Sequence, residues 1–204
     1  VACELLAVPS YSGLWPCGRF GDIDWLDLDL LGDDIDQSRR CAVFSGVLTD
    51  DRFAPDPRNW LIGAREQLQA VCVDLDARVL LRPHHAHVLN DVPGTRSLLQ
   101  DRGGRPVALD LAALLAPSMV RDAAPHIDRI LHGLSTMAGA ILLSDACVDA
   151  DGRTCAVHMG RGVLPGVAVG QALRRWVEPH LPDDVPVAVV ADSVEDAYRW
   201  LGWL

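Results

Sequence analysis

The chain has 204 residues, half of them apolar, and carries 28 Asp+Glu against 18 Lys+Arg for a net charge of −10. That length and apolar content suit one domain with a sizeable core and exclude a disordered chain. An acidic chain with no basic stripe also excludes nucleic acid as a partner, since neutralised phosphates supply most of that affinity.

No apolar run approaches the roughly 18 residues of a membrane span. The start, Val1-Ala-Cys-Glu4, lacks the basic and apolar regions of a secretory signal, so a cytoplasmic, membrane-free protein is expected. The six cysteines at 3, 17, 41, 72, 147 and 155 form no C-x-x-C pair. Cys41, Cys72 and Cys147 lie in or beside apolar runs, which predicts reduced thiols acting as small hydrophobes.

In chain order, apolar runs predict strands at Glu4–Val8, Ile23–Leu30, Cys41–Leu48, Arg78–Arg82, Val107–Leu111, Ala140–Asp145 and Val185–Ala191. Residues 9–21 read as a Gly/Pro/aromatic loop. Within the second strand, Trp25-Leu-Asp27-Leu-Asp29 alternates, placing both acids on one face. Residues 31–40 leave room only for a short crossover. A helix follows over about Asn59–Leu75, where Leu61, Ala64, Leu68, Val71, Cys72 and Leu75 form one stripe. A second is predicted near Ser118–Leu134, interrupted at Pro125, and a third over Val167–Val177. The last begins with Ser193-Val-Glu-Asp196, a capping-box-like start.

Strand–helix alternation predicts βα units and a parallel sheet in a single domain over 1–204, with 1–58 reduced or irregular. Three of the runs end on an aspartate: Val107-Ala-Leu-Asp110, Ile141-Leu-Leu-Ser-Asp145 and Val187-Ala-Val-Val-Ala-Asp192. The carboxyl ends of parallel strands share one side, where α/β proteins bind ligands. The acids are therefore either a polar site or a set of helix caps. Asp192 competes with Ser193 for the capping role.

The order of these motifs resembles the xylose isomerase-like TIM barrels, the sugar phosphate isomerase/epimerase superfamily. Leu80-Leu-Arg-Pro83 stands where that family has Leu-Glu-Pro. Ala108-Leu-Asp-Leu111 resembles its Leu-Asp-x-x-His strand, and Leu142-Leu-Ser-Asp145 its Val-His-x-x-Asp strand. Gly160-Arg-Gly162 resembles its Gly-x-Gly loop, and the run to Asp192 its closing strand. The resemblance covers about the last 125 residues and implies a small or incomplete (β/α)8 barrel. It further implies sugar or sugar-phosphate isomerase/epimerase chemistry with a divalent metal at the strand ends and two glutamates moving a proton beside a carbonyl.

The chain departs from that pattern at Arg82, Ala113 and Leu142, where the family has a glutamate and two histidines. A guanidinium neither ligates a metal nor accepts a proton near neutral pH. Two functions are therefore open: an isomerase/epimerase-like enzyme, or a non-catalytic barrel acting as a binding or partner subunit. For the first, Asp110 and Asp192 are the candidate catalytic acids. Arg82, His158 and Arg161 are candidate contacts for a small sugar or sugar phosphate, with the Gly160–Gly162 turn offering N–H groups to an anion. His84, His85 and His87 with Asp145 form a candidate nitrogen/oxygen metal set suited to Zn or Mn, with Mg the hard-cation alternative. The histidines read equally as a solvated loop. A shortened N-terminal part would leave strand edges uncovered, and Trp176, Trp200 and Trp203 could anchor a partner, so a homodimer or hetero-complex is expected.

Overall fold

The computed structural model describes residues 5–7, 18–20, 23–29, 40–46, 57–74, 77–180, 182 and 185–204. The expected loop over 9–17 and crossover over 31–39 lie outside the described residues, as do Cys3 and Cys17. The strands are β1 (Leu5–Ala7), β2 (Gly18–Phe20), β3 (Ile23–Asp29), β4 (Arg40–Phe44), β5 (Val79–Arg82), β6 (Val107–Asp110), β7 (Ala138–Leu143), β8 (Asp145–Val148), β9 (Thr154–Val157) and β10 (Val187–Val189). The helices are α1 (Pro57–Asp74), α2 (Val92–Leu99), α3 (Leu111–Leu114), α4 (Pro117–Val120), α5 (Ala123–Leu134), α6 (Gly166–Trp176) and α7 (Val194–Trp200).

One sheet runs in the order β1-β10-β7-β6-β5-β4-β3-β2. Every neighbouring pair from β1 to β3 is parallel, and only β2 joins antiparallel, on β3. Among the described residues β1 and β2 are not hydrogen-bonded to each other, so closure of the sheet is not seen between them.

Alternation along the parallel strands separates two cores. Outward residues such as Val79, Leu81, Val107, Leu109, Ile141 and Val189 pack under the helices. Inward residues form a second cluster of Ile23, Ala42, Leu80, Ala108, Ala140, Leu142, Ala188 and Val190. Four alanines among eight lining residues keep that lumen narrow, so side chains alone fill it, as in small barrels generally. At the floor of the barrel the Arg40 guanidinium on β4 reaches the Gly139 carbonyl on β7, at 2.9 Å, three strands away. Gly139 marks a shift in the β6–β7 register. A Cβ there would collide with the Arg105 carbonyl, so the bulge requires glycine.

Several expectations are corrected. The stretch expected to be loop over 9–21 contains β2, hydrogen-bonded to β3 with Gly18 opposite Trp25. Pro125 does not interrupt a helix: the break falls at Arg121–Asp122, and Pro125 occupies the first turn of α5, where its missing N–H has no partner to lose. Helix α2 was hidden by its Val92-Pro-Gly94 start, which reads as a turn. Asp91 caps it, accepting from the Gly94 N–H at 2.6 Å, and Pro93 again sits in the first turn.

The acidic stretch after Asp145 is the tip of a β8–β9 hairpin. Asp149 turns the chain by accepting the Asp151 and Arg153 N–H groups at 3.0 and 2.8 Å, with Gly152 at φ 76°. Trp176, Trp200 and Trp203 pack in part against the chain's own core. Trp176 Nε1 donates to Asp128 at 2.9 Å, and Trp203 lies against Tyr198.

Among the described residues no helix is long and apolar enough to cross a membrane. A surface cleft of about 520 Å³, lined by residues including Gln69, Cys72, Leu98 and Arg102, lies between the ends of α1 and α2. It is on the side where the strands begin, away from the aspartate-bearing ends.

Candidate functional site

Because β5, β6, β7 and β10 are parallel neighbours, Arg82, Asp110, Asp145 and Asp192 are all delivered to one rim. The side chains nevertheless have different fates. Arg82 and Asp110 point into the lumen and meet there, both with fully buried side chains. The Arg82 terminal nitrogen donates to Asp110 Oδ2 at 2.6 Å, and Nε donates to the same oxygen at 3.2 Å. Asp110 Oδ1 accepts the Ala113 N–H at 3.2 Å, capping α3. Ion-pair partner and helix cap are thus one residue.

The ring of Phe44 lies 4.3 Å from the Arg82 guanidinium carbon, a cation–π contact in a dry setting. Phe44 was missed in the sequence. The available signal was its position: it ends a strand and stands in register with Arg82 on β5.

Asp145 is almost wholly buried and accepts four backbone N–H groups. Oδ1 takes Ala146 and Leu164 at 2.8 and 2.9 Å, and Oδ2 takes Gly160 and Gly162 at 3.1 and 2.9 Å. The carboxylate therefore folds the Gly160–Gly162 turn back over the end of β7. Gly160 needs its positive φ of 82°. At Gly162 a Cβ would collide with the Ala146 carbonyl and the Asp145 carboxylate. The N–H groups of both glycines face Asp145, so the expected anion cradle already holds an internal anion.

The turn also presents Arg161 outward. Its guanidinium meets Asp192 Oδ2 at 3.0 Å, while His158 Nδ1 meets Asp192 Oδ1 at 3.1 Å. The His158 side chain is 17% exposed, against 60% and 66% for Asp192 and Arg161, so the acid and the guanidinium face solvent while the imidazole is mostly covered. Asp192 does not cap α7. Ser193 does, accepting the Asp196 N–H at 3.1 Å.

The histidine loop is folded down rather than solvated. His84 N–H donates to the Leu89 carbonyl and His85 N–H to the Ala113 carbonyl, at 2.9 and 2.8 Å. Leu89 N–H donates to Ser45 Oγ at 3.0 Å, tying the loop to the end of β4. His84 and His87 are buried beside Phe44, and the rings of His85 and His87 lie 4.3 and 4.4 Å from that of His84. Burial, joined by the charges of the neighbouring histidines and Arg82, pushes His84 down to about 2. Burial likewise holds His87 at about 4 and lowers His85. His84 Nδ1 accepts the Ala86 N–H at 3.0 Å, which leaves the ring proton of the neutral imidazole on Nε2.

The metal set proposed from sequence does not come together. His84 and His85 are stacked face to face, which runs their in-plane lone pairs side by side instead of toward one point. Asp145 is committed to four N–H groups. Among the described residues no group of three or more His, Cys, Asp or Glu is placed to hold a metal. The described residues do not fit the divalent ion that the resemblance implies: Arg82, paired with Asp110, stands in the lumen where the resemblance puts a glutamate ligand.

No family model matches the sequence, and no curated protein matches it. Among solved structures, a probable 3-DHS dehydratase of petrobactin synthesis from Bacillus anthracis aligns over 88% of this chain and 72% of its own, with a TM-score of 0.51 at 15% identity. A 3-keto-D-glucoside 4-epimerase from E. coli aligns at 0.47 and 19% identity, and a magnesium-bound xylose isomerase-like protein from Mycobacterium smegmatis at 0.43 and 12%. This chain covers 62% and 58% of those two. Seven successive parallel strands, βα units leading into one polar rim and the alignment with the first of these structures together give the chain the fold of a short, incomplete xylose isomerase-like TIM barrel.

Proposed function

We propose that this barrel binds a small polyhydroxylated anion, of the sugar phosphate or sugar acid class, at its rim and has given up metal-assisted isomerase chemistry. The observation that carries this reading is the buried Arg82–Asp110 pair, which occupies the lumen where a metal and its carboxylates would have to sit. Arg161 supplies a planar donor fork for an anionic group, and His158 a ring nitrogen beside it. The fold is one on which a dehydratase is built, that of the probable 3-DHS dehydratase. Calorimetry with a panel of pentose and hexose phosphates tests the reading. Binding should survive EDTA and fall at least tenfold in Arg161→Ala. Binding that requires Mn²⁺, Zn²⁺ or Mg²⁺ would overturn it.

One feature favours a second reading, an isomerase/epimerase-like activity without metal. His158 Nδ1 lies 3.1 Å from Asp192 Oδ1, an imidazole–carboxylate pairing that would suit a general base once substrate binding aligns it into a hydrogen bond. Such a base would exchange a substrate C–H for deuterium in D₂O. Exchange that is lost in His158→Gln would establish it, and no exchange across the panel would leave the binding role alone.

A further inference from the structure

In the β8–β9 hairpin Cys147 stands directly opposite Cys155, and their sulfurs lie 2.9 Å apart as free thiols. Directly opposed residues of an antiparallel pair have Cα atoms about 4.5–5.5 Å apart, inside the span that a disulfide requires. The hairpin is short and its register is fixed by the Asp149 turn, so the two side chains meet without rearrangement of the barrel. Cys41 and Cys72 lie elsewhere in the outer core, on β4 and α1. We propose that Cys147 and Cys155 form a redox-active dithiol that closes to a cross-strand disulfide by exchange with a low-molecular-weight disulfide of the glutathione class.

The two thiols have distinct roles. Cys147 is partly exposed and Cys155 is buried, so the incoming disulfide reaches Cys147 first. Burial, reinforced by the hydrogen bond with Cys147, raises the Cys155 thiol to about 11, which suits a resolving group rather than the attacker. The Cys147 thiolate attacks one sulfur of the small disulfide, forms a mixed disulfide and expels one small thiolate. Cys155, losing its proton to solvent, then attacks Cys147 Sγ and expels the second. The protein dithiol is oxidised by two electrons, and one small disulfide becomes two thiols.

The location gives the cross-link a consequence. Strand β8 begins at Asp145, the residue that holds Gly160, Gly162 and Leu164 in place. Closing the hairpin two residues further along fixes that carboxylate's own strand, so oxidation should stiffen the turn that presents Arg161.

The test equilibrates the native protein in glutathione buffers of rising oxidised fraction, quenches with an alkylating agent and maps tryptic peptides. Trypsin cuts after Arg153, between the two cysteines, so the disulfide joins Ile130–Arg153 to Thr154–Arg161. The expected result is that joined pair in native protein, with slower amide exchange at Gly160 and Gly162. Cys155→Ser should stop at a glutathione adduct on Cys147. Two results would overturn the proposal: both cysteines still alkylated separately in fully oxidised glutathione, or the cross-link formed only after denaturation. Both are read on the unmutated chain, so a variant that fails to fold does not affect them.

Discussion

At Arg82 two opposite charges lie in a lumen lined by alanine, leucine and valine, and their worth depends on staying together. Removing one partner leaves the other charged and desolvated, which costs about 3–5 kcal/mol, whereas replacing both with apolar residues of similar volume is often neutral. Arg82→Met should therefore lower unfolding stability by about 3–5 kcal/mol in urea titrations, and Arg82→Met with Asp110→Leu should recover most of it. Recovery is expected to fall short by about 1 kcal/mol, because Asp110 also caps α3. Asp145 presents a different balance, since all its partners are N–H donors. Asp145→Asn turns one acceptor into a donor aimed at donors, with an expected loss of about 3 kcal/mol and faster amide exchange at Gly160, Gly162 and Leu164. Arg82→Glu asks whether the lumen can regain a divalent site. Mn²⁺ binding by the variant and none by the parent is the expected calorimetric result, whereas tight binding by the parent, lost on changing His84, His85 or His87, would restore the metal enzyme.

The loop between β5 and α2 makes its elements sensitive to acid. His84 and His87 have folded values pushed down to about 2 and about 4, against an unfolded value near 6.5. Between these limits the unfolded chain binds protons that the folded chain does not, so stability falls as pH drops below about 6.5. Each histidine contributes roughly 1.4 kcal/mol of that loss per pH unit, for His87 down to about pH 4 and for His84 further. Denaturation midpoints measured from pH 7 to pH 4.5 should drop steeply in the parent. The slope should be clearly shallower in His84→Phe, which keeps the aromatic packing against Phe44 without the proton. An unchanged slope would mean that other groups dominate the acid transition.

Across the molecule, the polar rim is a consequence of topology. Four neighbouring strands run the same way, and each brings its carboxyl end to the same side. The rim then divides by depth into an inner buried pair, a middle carboxylate consumed by backbone, and an outer, exposed Arg161–Asp192 pair with His158 mostly covered beneath it. Among the described residues of the rim, Arg161 and Asp192 are the largely exposed ones, so Arg161→Ala should alter binding while leaving the unfolding free energy within about 0.5 kcal/mol of the parent. Arg82 and Asp145 variants should show the opposite pattern.

The parallel sense and the common rim were legible in the sequence, because buried parallel strands are written as continuous apolar runs, and those of β5, β6, β7 and β10 lead into Arg82, Asp110, Asp145 and Asp192. Helices α1, α6 and α7 were legible for a similar local reason, a stripe or a cap. Short elements such as β2, α2 and β9 were not, since turn-forming residues obscure them. What only the tertiary structure decided is the use of each acid. Asp110, Asp145 and Asp192 have the same local context, an aspartate at or just past the end of an apolar run. They differ in what stands across from them: a guanidinium from the neighbouring strand, three amides from a loop up to 19 residues on with the next residue's own, and an exposed arginine beside a mostly covered histidine. Charge burial and hydrogen-bond saturation are set by those distant partners, and a carboxylate's role follows from its surroundings in space.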